Sequence, residues 1–310
     1  MAKARSNLNS AKSRKTRSKN SPASAIAQKI SAFVEQTKQA ALKKASVLKK
    51  YVKQDAAKPA KGSSSKRAAA KGGKKSSGKK TLAARAMMFV GASVALLVAV
   101  SAMAADVEEL ADVYSKRYGL KDAVQVKTDG KGNGDERLYG TRNFRVVLNG
   151  VLYRGGGNNH KHRVNPRNNT NPLQDDALEN LCKEGFTSVF YTYKTGWEKA
   201  RTNVTCDSFR DSSNRLDYAS VDPLKGDGLY PILKAVHKTI ESPKSNGPVY
   251  VHCWNGWHAS GFVSAVALIQ FCGIDNETAV AYWTRTQDSD PAKYAGVIKR
   301  IRAFQPYQDL

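Results

Sequence analysis

The residues best placed to do chemistry lie together in His252-Cys253-Trp254-Asn255-Gly256-Trp257-His258-Ala259-Ser260-Gly261, which follows the apolar run Pro248-Val249-Tyr250-Val251. The pattern predicts a buried strand, a tight loop with a cysteine at its mouth, and a helix opening at Ser260-Gly261. Backbone N–H groups of such a loop, together with a helix N-terminus, converge on an anion. The same field favours the thiolate of Cys253 and makes it a nucleophile. The chemistry expected is attack on a centre that carries negatively charged oxygens.

The elements around this loop read as one α/β unit over residues 146–310. Val147–Arg154 suggests two strand segments around the Asn149-Gly150 turn. A helix is expected over Leu173–Glu184 with Gly185 as its C-terminal stop, then strands at Phe186–Tyr193 and Leu216–Val221. Asp227–Ile240 reads as a helix that tolerates Pro231 near its start, with Asp227 a candidate N-cap. Val249–His252 is the expected central strand and Ser260–Phe271 the helix after the loop. Further helices are expected over Asn276–Thr286 and Pro291–Phe304. Strands alternating with helices predict a mainly parallel sheet flanked by helices on both faces. Residues 106–145 read as a polar lead-in, with a helix over Val107–Tyr118 and a glycine-rich turn at 129–135.

The loop resembles the phosphate loop of the cysteine-dependent dual-specificity and tyrosine phosphatases, whose pattern is H-C-x-x-G-x-x-R-[ST]-G. His252, Cys253, Gly256, Ser260 and Gly261 fall in place. The likeness extends at pattern level over about residues 147–285, from Leu152-Tyr153-Arg154-Gly155-Gly156 through Gly185-Phe186-Thr187-Ser188-Val189-Phe190. Asp222-Pro223 stands 31 residues before Cys253, where bacterial enzymes of this type carry a leaving-group acid. The resemblance implies that Cys253 attacks phosphorus and forms a phosphocysteine. Asp222 then serves as general acid and afterwards as base, while Ser260 donates to the thiolate. It further implies that His252 supports the loop and that Gly256 lets the backbone approach the phosphate. Trp254, Asn255, Trp257, His258, Ala259 and Gly261 complete the substrate-binding set. No cofactor and no metal are implied.

One position departs from the pattern. Ala259 stands where the family places an arginine that grips two phosphoryl oxygens with a planar fork. Loss of such a contact costs about 3–5 kcal/mol of transition-state stabilisation. His258 could offer one hydrogen bond when protonated, and Arg154, Arg201 or Arg285 could bring a guanidinium from elsewhere. Trp254 and Trp257 are expected to close over the loop and make it more apolar.

Charge divides the chain. The 310 residues carry a formal net charge of +25, and residues 1–85 hold 24 Lys and Arg against only Glu35 and Asp55. Residues 1–22 read as disordered, 24–54 as a basic amphipathic helix, and 56–82 as a Lys/Ala/Gly/Ser tract that resembles histone H1-like tails in composition. Such an arm over residues 1–82 suits nucleic acid or anionic lipid, and a charge run does not choose between them. Ala86–Ala105 is uncharged and long enough to span a bilayer once. Lys79, Lys80 and Arg85 before it, and Asp106, Glu108 and Glu109 after it, put the N-terminus in the cytoplasm and the following domain outside. Ala102-Met103-Ala104 also fits a signal cleavage site, which would release the domain near Ala104. Of four cysteines, Cys182 and Cys206 can pair in an oxidising compartment and Cys272 reads as a core residue; there is no C-x-x-C.

Three functions follow as expectations. The chain is a membrane-anchored phosphomonoester hydrolase, a pseudophosphatase that binds a phosphorylated ligand, or an envelope tether that holds nucleic acid through its basic arm.

Overall fold

The run Val249-Tyr250-Val251-His252-Cys253 is buried along its whole length, so it belongs in the middle of a sheet covered on both sides. The computed structural model describes residues 105–120, 124–157 and 171–310. Among the described residues, six strands form one sheet: β1 (Arg142–Leu148), β2 (Leu152–Gly156), β3 (Ser188–Tyr191), β4 (Asn203–Cys206), β5 (Asn214–Ser220) and β6 (Val249–Cys253). Their spatial order is β1-β2-β6-β3-β5-β4. β2, β6, β3 and β5 run parallel, while β1 and β4 close the two edges antiparallel. The sheet is therefore mixed, with the expected parallel order confined to its centre. The short edge strand β4, with only Val204 buried, carries too few apolar residues to be read from sequence.

The helices are α1 (residues 105–118), α2 (Asp175–Lys183), α3 (Leu229–Glu241), α4 (Ala259–Cys272), α5 (Asn276–Thr286) and α6 (Ala295–Ala303). Side-chain alternation along the strands sorts the core into two layers. Val249 and Val251 face Ile232, Leu233 and Val236 of α3, Phe262 and Val266 of α4, and Trp283 of α5. Tyr250 faces an aromatic layer with Tyr114, Tyr118, Phe144, Tyr153, Phe186 and Tyr218. Within that layer Phe144 stacks between Tyr153 and Tyr250 at centroid distances of 5.2 and 5.5 Å.

Residues 106–145 are part of this body rather than a lead-in to it. Leu110, Tyr114 and Tyr118 of α1 are buried, and Arg117 binds both carboxylate oxygens of Glu184 at 2.6 Å. The Tyr114 hydroxyl donates to the Glu184 carbonyl at 2.7 Å. Those pairings cross 66 residues or more, so no local pattern announces them. Glu184 is also where α2 stops. Gly185, at φ +77°, donates to the Cys182 carbonyl while Phe186 donates to that of Leu181, a paired closure that satisfies the helix end. Helix α3 starts at Leu229 with Gly228 at its N-cap, so Asp227 does not cap it. The expected final helix is split into a 3-10 turn at Pro291–Tyr294 and α6.

No helix among the described residues is long and apolar enough to cross a membrane. The basic arm, its amphipathic segment and the apolar span, except for Ala105, lie outside the described residues. Cys182 and Cys206 form a disulfide that ties α2 to edge strand β4 across 24 residues of chain. Closing a loop of that size contributes about 3 kcal/mol through the unfolded state. Cys206→Ala should therefore lower unfolding free energy in urea by about 2–4 kcal/mol, and reductant should do the same to the unaltered protein.

Candidate functional site

Cys253 is the last residue of β6, at the carboxyl edge of the parallel strands, where loops of α/β sheets collect ligands. The chain turns through Trp254–His258 and enters α4 at Ala259, one residue earlier than expected. This turn is clamped onto the end of β2. Gly157 donates to the carbonyls of Cys253 and Trp254 at 2.6 and 2.9 Å, and Gly156 bridges to Asn255.

Strand β2 gives Gly256 a steric reason of its own. It sits at φ +83°, and a Cβ there would lie 2.5 Å from both Gly155 C and Gly156 N. The missing side chain makes room for strand β2. Gly155 is equally crowded, since a Cβ would meet the Tyr250 hydroxyl at 2.2 Å. Loop and strand therefore approach through three glycines.

The thiol lies inside this turn. Cys253 is 3% exposed; its Sγ receives the Gly256 N–H at 3.2 Å and lies 3.3 Å from Ser260 Oγ. Ser260 Oγ also donates to the Gly155 carbonyl at 3.1 Å; its one proton serves either that carbonyl or the sulfur, not both. The first intrahelical bond of α4 runs from Phe262 N to His258 O at 2.8 Å. The backbone N–H groups of residues 257–261 have no acceptor among the described residues. Donors left open at a helix start are an anion site in waiting.

Two buried arginines shape the turn. Arg154 of β2 is fully buried; it donates to the Gly256 carbonyl at 2.6 Å, to that of Trp257 at 3.5 Å, to that of Thr286 at 3.2 Å, and to Tyr282 Oη at 3.2 Å. Because C=O and N–H of one peptide point oppositely, the N–H groups of Trp257 and His258 face away from Arg154. Arg142 of β1 donates to Asn255 Oδ1 at 2.6 Å and stands over the Trp257 ring. Beside it Asn143, at φ +49°, donates to the Asn255 carbonyl at 2.6 Å. Asparagine tolerates the left-handed region, and here it sits at an irregularity of β1. Arg142 and Asn143 were missed in the sequence because 112 residues or more separate them from their partners.

His252 lies on the aromatic side of the sheet, beneath the loop. Its ring stacks on Tyr191 at 4.9 Å. Nδ1 lies 3.2 Å from the Cys253 carbonyl and Nε2 2.7 Å from the Tyr218 hydroxyl, which itself accepts from Leu173 N. That chain is satisfied by a neutral ring protonated on Nδ1, with Tyr218 donating to Nε2. Burial pushes the imidazole down to about 3.

The remaining expected residues fall into place unevenly. Ala259 is 1% exposed, so a buried methyl stands where the family pattern has a guanidinium. Gly261 lets Trp283 and Arg154 pack against the first turn of α4. His258 turns toward the far side, stacked on Tyr294 at 3.8 Å and bonded to Ser289 Oγ at 3.0 Å. Burial lowers its pKa, against the Asp288 carboxylate 3.4 Å away, which raises it. Trp254 is 44% exposed, with its indole N–H held by the Tyr191 hydroxyl at 2.9 Å. It forms a rim beside Tyr193 rather than a cover. Arg201 is engaged with Glu179 and Asn203, and no contact places Arg285 at the loop.

Asp222 lies just past β5 on the same edge as Cys253, two strands across, or about 10 Å by strand spacing. Its Oδ1 accepts from Leu224 N at 3.0 Å and its Oδ2 faces Lys225 at 3.5 Å. Tyr193 packs edge-on against Tyr191 and Trp254 beside the loop, and burial raises its phenol pKa. Cys272 is buried in the core, where desolvation pushes its thiol up to about 11. No cluster among the described residues could hold a metal ion. A groove of about 680 Å³ between α3 and β5 opens near Gly185 and Gly247, away from the Cys253 loop.

His252 binds no proton in the fold until about pH 3 but binds one near 6.5 when unfolded. The unfolded state thus gains protons first as pH falls, and this group's share of stability is lost between those values, by up to about 1.4 kcal/mol per pH unit. Urea titrations across that window should show a shallower slope for His252→Gln. Gly256→Ala, which forces a Cβ onto the β2 backbone, should cost about 2 kcal/mol or more by the same measurement. No protein-family model matches the chain, and no curated protein matches it either.

Proposed function

We propose that this chain is a phosphomonoester hydrolase that works through a phosphocysteine on Cys253. The observation that carries the reading is the thiol itself. Cys253 Sγ receives a backbone N–H at 3.2 Å and sits beside Ser260, below a helix start whose N–H groups are open. An inert core thiol needs none of this; Cys272 shows what one looks like.

In the first half-reaction the Cys253 thiolate attacks phosphorus. The bond from phosphorus to the leaving oxygen breaks, and Asp222 in its acid form gives that oxygen a proton. In the second, Asp222 as carboxylate takes a proton from water, whose oxygen attacks phosphorus while the S–P bond breaks. Inorganic phosphate and the thiolate are restored. The open N–H groups would hold the equatorial oxygens, and Ser260 would donate to the departing sulfur. Asp222 must approach from its turn, so closure of substrate against Tyr193 and Trp254 belongs to the mechanism.

A second reading is favoured by the buried methyl of Ala259: a binding module that holds a phosphorylated ligand and turns it over slowly or not at all. We further infer that Ala86–Ala105 anchors the chain, with the disulfide-bearing domain on the oxidising side. α1 begins beside Lys244, with Asp106 paired to it at 2.8 Å, at the edge opposite Cys253. An anchor there would turn the loop away from the bilayer. The basic arm would then meet nucleic acid or anionic lipid on the other side.

The test is turnover of a phosphomonoester panel by the full chain in detergent. Cys253→Ser should abolish release of phosphate. Asp222→Asn should slow alkyl phosphates about 100-fold and p-nitrophenyl phosphate little, since only the poor leaving group needs its proton. Ala259→Arg should raise kcat at least about tenfold. Turnover unchanged in Cys253→Ser would refute the hydrolase, and phosphate binding without turnover would establish the second reading.

A further inference from the structure

Arg154 poses an electrostatic problem that no carboxylate among the described residues resolves. Its guanidinium is fully buried, and its partners are three backbone carbonyls and one phenol oxygen, with no carboxylate among the described residues. A desolvated charge without a counter-ion is among the costliest arrangements in a protein interior. Such a cation is tolerated where an anion completes the site.

The position of Arg154 says where that anion goes. Two of its carbonyl partners, Gly256 O and Trp257 O, belong to the loop itself. Each peptide that offers its oxygen to Arg154 turns its N–H to the other side of the loop, toward the open start of α4. The cation sits at the negative ends of these peptide dipoles and strengthens their positive ends. It also lies against Gly261, whose missing Cβ would come within 3.3 Å of Arg154 Nη1.

We propose that Arg154 supplies the positive charge that the loop lacks at Ala259. It does so as a positioning residue, acting through the peptides of Gly256 and Trp257, and the occupant is a dianionic tetrahedral oxyanion such as a phosphomonoester. The inference rests on the reading of this loop as a phosphate site. Its chemical consequence differs from that of a fork laid over the phosphoryl group. A charge behind the backbone attracts ground state and transition state nearly alike, so it gives binding with little added rate.

The experiment reads Cys253 alone, which keeps the basic arm out of the measurement. Full-length protein is alkylated with iodoacetamide, the peptide bearing Cys253 is quantified by mass spectrometry, and protection by inorganic phosphate is titrated. Arg154→Lys keeps the charge, whereas Arg154→Gln keeps a donor for the loop carbonyls without the charge. The expected result is a protection constant within about threefold of the unaltered protein for Arg154→Lys and at least about tenfold weaker for Arg154→Gln. Equal protection in both, with the disulfide intact, would overturn the proposal.

Should Arg154→Gln fail to fold, the unaltered protein still decides. Attraction to a buried charge is screened weakly by salt, so the protection constant should change by less than about threefold between low and high sodium chloride. A steep loss with salt would assign the attraction to exposed lysines instead. If phosphate gives the unaltered protein no protection at all, the reading of the loop as a phosphate site fails, and this inference with it. Protection that ignores Arg154 removes only the inference.

Discussion

The site depends on one close approach, that of the Cys253–His258 turn against the end of β2. Three glycines allow it, and two hydrogen bonds from Gly157 hold it. Arg154 then draws the loop carbonyls inward from the same strand. Everything that makes Cys253 unusual follows from that docking: the N–H at its sulfur, the serine hydroxyl at its side, and the open donors at the start of α4. The tyrosine-rich layer beneath serves the same end, since it buries His252 as a neutral ring and fixes the strand that carries the thiol.

Much of this could be read from residue order. Val249–Cys253 as a buried strand, the turn, and the helix after it follow from an apolar run broken by Gly256 and resumed at Phe262. The Asn149-Gly150 turn between β1 and β2, and the end of α2 at Gly185, follow from local backbone chemistry. What stayed hidden shares one property, long separation in the chain. Arg142 and Asn143 reach the loop across more than a hundred residues, and α1 is held by a pair 67 residues away. The reason for Gly256 was also invisible, because a positive φ can be guessed but the neighbour that forbids a Cβ cannot. His258 was expected to offer a hydrogen bond to phosphate; a tyrosine brought round by the 3-10 turn at Pro291–Tyr294 stacks on it instead.

Ala259 gives the account its physical interest. An arginine at that position would bind the phosphoryl oxygens directly and tighten as their charge grows. A guanidinium behind the loop holds the same charge in place without following the reaction. If the loop holds a phosphate, the arrangement is suited to capture and less suited to speed, which ties the two readings of the site to a single residue. Trp254, pinned through its indole to Tyr191, forms an aromatic rim on the same turn.

The claim beneath all of this is that the Cys253 sulfur forms a bond to phosphorus. Rapid acid quench of the full chain during incubation with an aryl phosphate, followed by mass spectrometry of the peptide carrying Cys253, tests it directly. A phosphoryl group on that sulfur, appearing on the timescale of the first turnover and absent in Cys253→Ser, is the predicted result. An unmodified cysteine while phosphate is released at the same rate would contradict the account.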